Sequence, residues 1–350
     1  MPGPAVLLLQ KQLLDQPGNS NFNKMLYGFL KIWVRLASLI FCRKIVINDP
    51  KRSSMKGPLL LAANHPNSFL DAIILDIIFD QPVWSLARGD VFKKPFYIKL
   101  LTKLKIMPVY RTSEGVENLE NNYKTFDDCK NIFRNNGIVL MFSEGKCINE
   151  WHLRPLKKGT ARLATISWEE GIGLKVLPVG INYSSFNRFG KNIFLNFGNI
   201  ISVEDVNMQE ADGKKHAAFN NKLETALREM VYEIPKYDRD LQGSRLQINN
   251  SLFKRIILFI PALIGFVLHA PLYLPVKAFT YARTKDNDHF DSVMTALLIF
   301  LYPVYLLLLI LIAWFITGSA LTWLLLIIAP FCAWAYVQLK EQLDKPIALS

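Results

Sequence analysis

Two long uncharged apolar stretches near the C-terminal end constrain this chain more than any other feature of its sequence. Residues 293–316 and 320–339 contain no charged side chain, and only Thr317, Gly318 and Ser319 separate them. A helix of about 20 apolar residues is long enough to cross the hydrocarbon core of a bilayer. The sequence therefore predicts a transmembrane helical hairpin over residues 293–339.

A third apolar stretch, residues 256–276, carries three prolines and has basic residues at both ends. Because proline removes a backbone donor and interrupts helices, we predict a broken, re-entrant or interfacial segment here. The alternative is a third full span, which would separate the basic residues between the two sides of the membrane.

Charge placement in the last 100 residues favours the two-span arrangement. With only the hairpin spanning, every basic residue of this region falls on one side, and the turn between the spans is uncharged. Positive charge concentrates in cytoplasmic loops, so the rest of the chain is predicted to face the cytoplasm. The basic residues concerned are Lys254, Arg255, Lys277, Arg283, Lys285, Lys340 and Lys345.

The net charge of +12 and the 51% hydrophobic content bound the class of protein. Such an apolar chain is not a disordered one. Lys and Arg near a bilayer are attracted to anionic headgroups, so the lipid bilayer is a predicted partner. Nucleic acid is the competing interpretation of a basic chain, but the basic residues form no long cluster and the apolar end has no part in it. We therefore predict no nucleic-acid partner.

The N-terminal region is divided into a tail, residues 1–20, and an amphipathic helix, residues 21–45. In the helix, Leu26, Phe29 and Trp33 recur at helical spacing while Lys31 and Arg35 interrupt any continuous span. This pattern predicts a helix lying in the membrane interface, with its basic residues at the headgroups. A helix packed on the protein core is the alternative.

Residues 46–235 alternate short apolar runs with amphipathic stretches, which predicts an α/β domain with a mixed central sheet covered by helices. Residues 236–255 form the predicted linker to the apolar end. The charged stretches Glu114–Arg134 and Lys157–Glu170 are predicted helices. The predicted strands are Leu59–Ala63, Val83–Ala87, Ile106–Tyr110, Ile138–Phe142, Val176–Ile181 and Ile193–Phe197.

The first candidate site follows the first of these strands, where His65 precedes Asp71 at the start of a helix. A carboxylate that bonds one imidazole nitrogen leaves the other nitrogen free to take a proton from a hydroxyl. A structural His and Asp in a turn is the alternative. The other four histidines are scattered, so no metal site is predicted. Nucleotide-binding loops and serine-nucleophile motifs are missing from the sequence, so the predicted target is a hydroxyl of the substrate.

A second group of candidates follows two other strands. Arg111 comes after Ile106–Tyr110, and Glu144, Gly145 and Lys146 come after Ile138–Phe142. Ligands of open α/β sheets bind beyond the strand ends, where Arg111 and Lys146 could hold a phosphate. A surface salt bridge among Arg111, Glu144 and Lys146 is the alternative.

Taken together, four blocks of sequence resemble those of the glycerolipid (PlsC-type) acyltransferases. The blocks are Asn64-His65 through Asp71, Pro108-Val109-Tyr110-Arg111, Phe142-Ser143-Glu144-Gly145, and Val176-Leu177-Pro178-Val179-Gly180. They occur in the family order, and the resemblance covers residues 46–235.

The resemblance implies acyl transfer from acyl-CoA or acyl-carrier protein to the hydroxyl of glycerol-3-phosphate or its 1-acyl derivative, with no further cofactor. His65 would be the general base and Asp71 its orienting partner. Arg111, Glu144 and Gly145 would form the acceptor and phosphate site, and Pro178 would shape the acyl pocket. The remaining residues assigned to substrate binding are Asn64, Arg88, Lys146, Lys157 and Arg162.

Two departures from the family pattern bear on the acceptor. Five residues separate His65 from Asp71 where the family usually has four, and Ser143 and Lys146-Cys147 stand where the family has Pro and Thr-Arg. These features, with Arg88–Phe92 and Pro155–Arg162, resemble a subgroup that includes fungal-type glycerol-3-phosphate acyltransferases. In that subgroup Lys157 or Arg162 would share the phosphate role. A lyso-aminolipid acceptor and a non-catalytic lipid-binding membrane scaffold stay open as alternatives. A phospholipid hydrolase is a further one.

Overall fold

A seven-stranded mixed sheet forms the centre of the molecule. The computed structural model describes residues 20–92, 94–110 and 119–344. The strand order is β1-β7-β6-β2-β5-β3-β4, with β6 antiparallel to β7 and every other neighbouring pair parallel. The strands are β1 (Cys42–Ile47), β2 (Leu59–Ala63), β3 (Val83–Arg88), β4 (Ile106–Val109), β5 (Ile138–Phe142), β6 (Lys175–Tyr183) and β7 (Lys191–Phe197).

Helices cover the sheet, and three apolar helices follow it. Short 3-10 turns lie at Pro50–Ser54, Gly89–Phe92, Val203–Asp205 and Ala320–Leu324. The α-helices are α1 (Ser20–Phe41), α2 (Phe69–Ile78), α3 (Pro95–Lys103), α4 (Leu119–Arg134), α5 (Lys158–Glu169), α6 (Asp212–Met230), α7 (Arg239–Leu246), α8 (Leu252–Thr284), α9 (Phe290–Thr317) and α10 (Leu325–Leu339).

The central strands are continuous apolar runs because both faces of the sheet are covered. All five residues of β2 are fully buried. Leu59, Leu61 and Ala63 pack into the core under α2, and Leu60 and Ala62 pack into the core under α5 and α6. The predicted fold class is therefore confirmed, down to the exact bounds of β2 and β5.

The structure corrects two boundaries of the predicted division. Residues 42–45, assigned to the N-terminal helix, begin β1, because Cys42 to Ile47 pair with β7. The predicted linker 236–255 is folded onto the domain, since it contains α7 and Leu246 is fully buried. Both segments carry charged residues that masked the long-range pairing in the sequence.

The N-terminal helix α1 presents an apolar face away from the domain, with Phe29 and Leu39 both more than 60% exposed. Its basic residues turn the other way. Lys31 Nζ donates to the carbonyl of Gln81 at 3.1 Å, and Arg35 Nε donates to the carbonyl of Ile77 at 2.8 Å. Lys31 and Arg35 therefore bind the end of α2 and the turn after it. The sequence pattern had predicted these two side chains at the lipid headgroups. The predicted tail, residues 1–20, lies almost wholly outside the described residues.

Within the described residues, three helical segments are long and apolar enough to cross a membrane: Leu252–Thr284, Phe290–Thr317 and Ala320–Leu339. The last two are the predicted hairpin segments. The first contains residues 256–276, and it runs as one helix through its prolines, without the break that these residues led us to expect.

Both flanks of α8 are tied to adjacent residues of β7. Asn192 Nδ2 donates to the carbonyl of Leu246 before α8, and Lys191 Nζ donates to Asp291 after it. Within α8, the ring of Tyr273 lies 6.0 Å from that of Phe189 in the β6–β7 turn. A straight helix of this length would extend about 50 Å, and its two flanks could not both reach adjacent residues of β7. The helix α8 is continuous, but it must bend. The chain therefore leaves the domain and returns to it at the same edge of the sheet.

Candidate active site

The candidate site lies at the carboxyl end of β2, in the centre of the sheet. His65 follows β2 after one residue, and Asp71 lies in the first turn of α2. Asn64 fixes this corner, since its Nδ2 donates to the carbonyl of Ile181 at 3.0 Å and its Oδ1 accepts from the Ile181 N–H at 2.7 Å. Both polar groups of Asn64 are thereby used by β6, which indicates a positioning role.

The His65 ring is held by a fully buried carboxylate. His65 Nδ1 lies 2.8 Å from Asp71 Oδ2, and the same oxygen accepts from the Asn67 N–H at 2.8 Å. The Tyr183 hydroxyl donates to Asp71 Oδ1 at 2.7 Å. Burial and the Asp71 charge raise the pKa of Tyr183 well above its usual value, which keeps it a donor. Asp71 is thus fixed in the orientation that directs His65.

The other ring nitrogen of His65 is available. Within the described residues, His65 Nε2 makes no hydrogen bond, and 18% of the side chain is exposed. The ring stacks on Phe142 at 3.8 Å between centroids, with the planes 10° apart. Phe142 therefore sets the ring plane, while Asp71 sets the tautomer.

The loop between His65 and Asp71 contains one residue with a strained backbone, Ser68. Its φ of +51° lies in the left-handed region, which is uncommon for a residue with a side chain. The Ser68 N–H donates to Cys147 Sγ at 2.9 Å. The His–Asp contact thus forms across five intervening residues, one of which has a strained backbone.

Glu144 holds the loop from the other side. Its Oε2 accepts from the His65 N–H at 2.7 Å, and its Oε1 accepts from the Arg154 N–H at 2.8 Å. Burial raises the pKa of Glu144 above its usual value, and the two donors and the His65 charge offset only part of that rise. Glu144 therefore binds backbone, and in the described chain it forms no salt bridge with Lys146.

The first turn of α9 touches the same loop. Asn67 Nδ2 donates to Asp291 Oδ2 at 2.7 Å, and Asp291 also pairs with the buried Lys191 of β7. Ser68 Oγ lies 2.8 Å from His289 Nδ1. An apolar helix after the domain thus braces the loop that carries His65.

Two basic side chains flank Gly145 beside the His65 loop. Gly145 has φ of +66°, and a Cβ there would lie 3.0 Å from Lys157 Cγ. Lys146 and Lys157 are both exposed, and Lys157 precedes the first turn of α5. A helix N-terminus with flanking lysines attracts anions, so this corner can take a phosphate.

None of the remaining predicted residues in the described part forms a hydrogen bond with His65. Arg88 pairs with Asp90 at 2.6 Å. Arg162 lies close enough to α6 that its charge lowers the pKa of His216 there, after the larger effect of burial. Pro178 is buried in β6 against Gly198. Arg111 lies outside the described residues.

Several residues of the site were missed by the sequence analysis: Tyr183, Asn67, Phe142, Cys147, Lys191 and Asp291. Most reach the loop from distant positions, up to 224 residues away along the chain. Asn67, Phe142 and Cys147 lay inside the motifs named above. Asp291 follows the charged segment 285–288 just before the apolar stretch 293–316, and no signal in the sequence singled it out.

The arrangement is suited to proton transfer. An imidazole oriented by a buried carboxylate can act as a general base through its free nitrogen. The described residues hold no group of three or more His, Cys, Asp or Glu side chains placed for a metal ion. The fold and site define an α/β protein with a buried His–Asp pair beside apolar, membrane-type helices.

Comparison with known proteins agrees with this class. Residues 44–182 match the family model described as Acyltransferase. This segment holds β2, β5, β6 up to its last residue but one, and the whole His–Asp loop. This match agrees with the resemblance that the four motifs indicated, while the subgroup stays a prediction.

Two individual proteins are similar to this chain. An uncharacterized acyltransferase of Schizosaccharomyces pombe is 30% identical over 106 residues, which make up 29% of this chain and only 16% of that protein. The crystal structure of the 1-acyl-sn-glycerophosphate (LPA) acyltransferase PlsC from Thermotoga maritima has a TM-score of 0.43 and 16% identity. That similarity covers 65% of this chain and 88% of the other.

Proposed function

We propose that this chain is a membrane-bound O-acyltransferase of phospholipid synthesis. It would transfer a fatty acyl group from acyl-CoA or acyl-carrier protein to glycerol-3-phosphate or 1-acylglycerol-3-phosphate. The observation that carries the proposal is the His65–Asp71 pair, with one imidazole nitrogen 2.8 Å from a buried carboxylate and the other partly exposed.

The pair supports a direct transfer. His65 Nε2 takes the proton of the acceptor hydroxyl as that oxygen attacks the thioester carbonyl. The carbon–sulfur bond then breaks, and the imidazolium returns the proton to the leaving thiolate. Asp71 stabilises the imidazolium between the two steps. The products are an ester and a free thiol, and no enzyme-bound acyl group is needed.

The phosphate of the acceptor would bind beside Gly145. Lys146 and Lys157 are the exposed cations on the described side of the site, and the N-terminus of α5 adds its dipole. The departure at Lys146-Cys147 from the family pattern also favours a second candidate, a lyso-aminolipid acceptor, which would not need this phosphate site.

Membrane attachment fits the products of this reaction. A long-chain acyl product partitions into lipid and need not cross water. The three apolar helices and the exposed apolar face of α1 lie on the same chain as the site. We place the bilayer among the partners, together with the acyl donor and the glycerophosphate acceptor.

The catalytic domain would face the cytoplasm, with α9 and α10 as the two spans. In support, both flanks of α8 are tied to neighbouring residues of β7, and the basic residues on either side of α8 then lie on the domain side. We accordingly propose that α8 is re-entrant or interfacial.

The test is acyl transfer by the purified full chain in detergent. Labelled long-chain acyl-CoA and acyl-carrier protein are each offered with glycerol-3-phosphate, lysophosphatidate and a lyso-aminolipid. Transfer to a phosphate acceptor supports the proposal, and transfer only to the lyso-aminolipid supports the second candidate. Folded protein that transfers to none of them contradicts both and favours a lipid-binding scaffold.

A further inference from the structure

A cluster of cations lies away from the His65 site, where β1, α8 and α10 meet. Arg43 and Lys44 belong to β1, and Lys254 and Arg255 belong to the first turn of α8. β1 is three strands from β2 in the sheet, or about 14 Å at the usual strand spacing. The proposed transfer reaction uses none of these four residues.

Two cavities lie on either side of Arg43 and Asn250. The first, of about 170 Å³, includes Lys44 and Lys254 in its lining. The second, of about 480 Å³, is lined in part by Arg255 and Phe259. Each cavity therefore has two or more cationic side chains at its wall.

The positive charge of the cluster is not neutralised by carboxylates. Among the described residues, Arg43, Lys44, Lys254 and Arg255 form no salt bridge. Glu341, the acidic residue of the larger cavity, is 2.7 Å from Arg188 and is thereby paired.

Arg43 is held rigidly within this cluster. Its guanidinium donates to the carbonyls of Gln338 and Lys340 at the end of α10, the second at 2.7 Å. Burial, with a smaller effect of Arg255, lowers the pKa of Arg43 to about 10. A fixed and partly desolvated cation of this kind strengthens the attraction for an anion.

Apolar surface continues directly from the cluster along α8. Leu252 and Phe253 are each 73% exposed, and Ile256 is 66% exposed. Phe259 both lines the larger cavity and is 63% exposed. An occupant must therefore combine an anionic group with long apolar chains, as an anionic glycerophospholipid does.

We propose that the cavities around Arg43 bind the headgroup of an anionic phospholipid of the bilayer, with its acyl chains along α8. The start of β1 lies at the same edge of the sheet as the end of β2, because β1 and β7 run antiparallel to β6 and β2. The bound lipid would thus fix the edge carrying His65 against the membrane. This proposal is independent of the acyl-transfer proposal.

The test measures ligand-dependent thermal unfolding of the purified full chain in neutral detergent. The probes are dihexanoylphosphatidylglycerol, dihexanoylphosphatidylcholine and inorganic phosphate. The test variant is the double substitution Lys44→Gln and Arg255→Gln, since both side chains are exposed. The matched control is Lys175→Gln with Lys236→Gln, two exposed lysines outside both cavities.

We expect the anionic lipid to bind the wild type and the control at least about tenfold more tightly than the zwitterionic lipid, and the test variant to lose that preference. Equal binding of both lipids, or an unchanged preference in the test variant, would overturn the proposal. Stabilisation by phosphate at the same concentration as the anionic lipid would show a free-anion site and would also overturn it. Circular dichroism establishes that each variant is folded.

Discussion

Both carboxylate oxygens of Asp71 are bonded to groups around His65. One oxygen takes the His65 ring and the Asn67 N–H, and the other takes the Tyr183 hydroxyl. An amide at this position would have to offer a donor to at least one of these donors. The carboxylate therefore determines both the position of the imidazole and its tautomer, which explains why a fully buried charge is kept here.

Replacing Lys157 tests whether this corner of the site binds the phosphate of the acceptor, which a lyso-aminolipid acceptor would not need. We expect Lys157→Gln to raise KM for a phosphate acceptor by about tenfold, the effect of one lost charge-assisted contact. KM for the acyl donor should not change. The measurement is initial-rate kinetics with each substrate varied in turn, and Lys175→Gln is the control. An unchanged acceptor KM would place the phosphate elsewhere.

The sequence predicted the contact between His65 and Asp71 and missed the residues that hold this pair. His65 and Asp71 are close in the chain, so a motif can reveal them. Tyr183 and Lys191 reach the loop through the strand order, which a single sequence does not display. The phosphate role of Arg162 was inferred from the motif alone, and the structure directs that side chain toward α6.

Among the elements, α9 links the membrane region to the catalytic loop. Asp291 in its first turn accepts from Asn67 and pairs with Lys191, and Ser292 Oγ accepts from the Leu70 N–H at 3.3 Å. A shift of α9 along its axis would therefore move residues on both sides of Ser68. The position of the loop that carries His65 therefore depends on the position of α9.

Two double variants test this link while leaving no unpaired buried charge. Lys191→Met with Asp291→Asn keeps an acceptor for Asn67, and Lys191→Met with Asp291→Leu does not. We expect the Leu variant to unfold at a lower temperature, since the buried Asn67 Nδ2 loses its acceptor, and its kcat for acyl transfer to be about tenfold lower, the worth of one lost hydrogen bond. Equal kcat in the two variants would show that the contact with Asn67 has no positioning role.

Lys340, at the end of α10, predicts a pH dependence of stability. Burial and three neighbouring cations lower its pKa from 10.5 to about 7. Between pH 7 and 10.5 the unfolded chain binds the proton and the folded chain does not, so stability rises with pH in this window. We expect the unfolding temperature to rise from pH 7 to 9 in the wild type and to rise less in Lys340→Met. Parallel profiles would contradict the assignment.

The sequence predicted the strands correctly where one hydrophobic pattern continued through the whole strand. β2 and β5 are buried on both faces and read as plain apolar runs. β1 was missed because its charged residues continue an amphipathic helix, and only pairing with β7 makes them a strand. The three prolines of α8 suggested separate pieces, yet the helix continues through them.

At the scale of the whole molecule, the apolar helices and the sheet are one assembly. Both flanks of α8, the start of α9 and the end of α10 are attached to the edge of the sheet that carries the site. Under the proposed function, the spans would hold that edge at the bilayer, where an acyl chain could pass between lipid and the site without exposure to water.

Topology follows from this attachment and can be measured by cysteine labelling. With two spans, Lys285→Cys should react with an impermeant reagent on the side of the catalytic domain, and Ser319→Cys should react on the other side. Lys175→Cys marks the domain side, and the wild-type chain gives the background of its own four cysteines. Three spans would exchange the sides of positions 285 and 319.

The central claim is that His65 is the base of an acyl transfer, and its most direct test compares two alanine variants. His65→Ala is assayed beside His216→Ala, a histidine of α6 outside the site. We expect folded His65→Ala to lose about 10²–10⁴-fold in kcat, the usual contribution of a general base, and His216→Ala to keep the wild-type rate. A His65→Ala enzyme as active as the wild type would contradict the account.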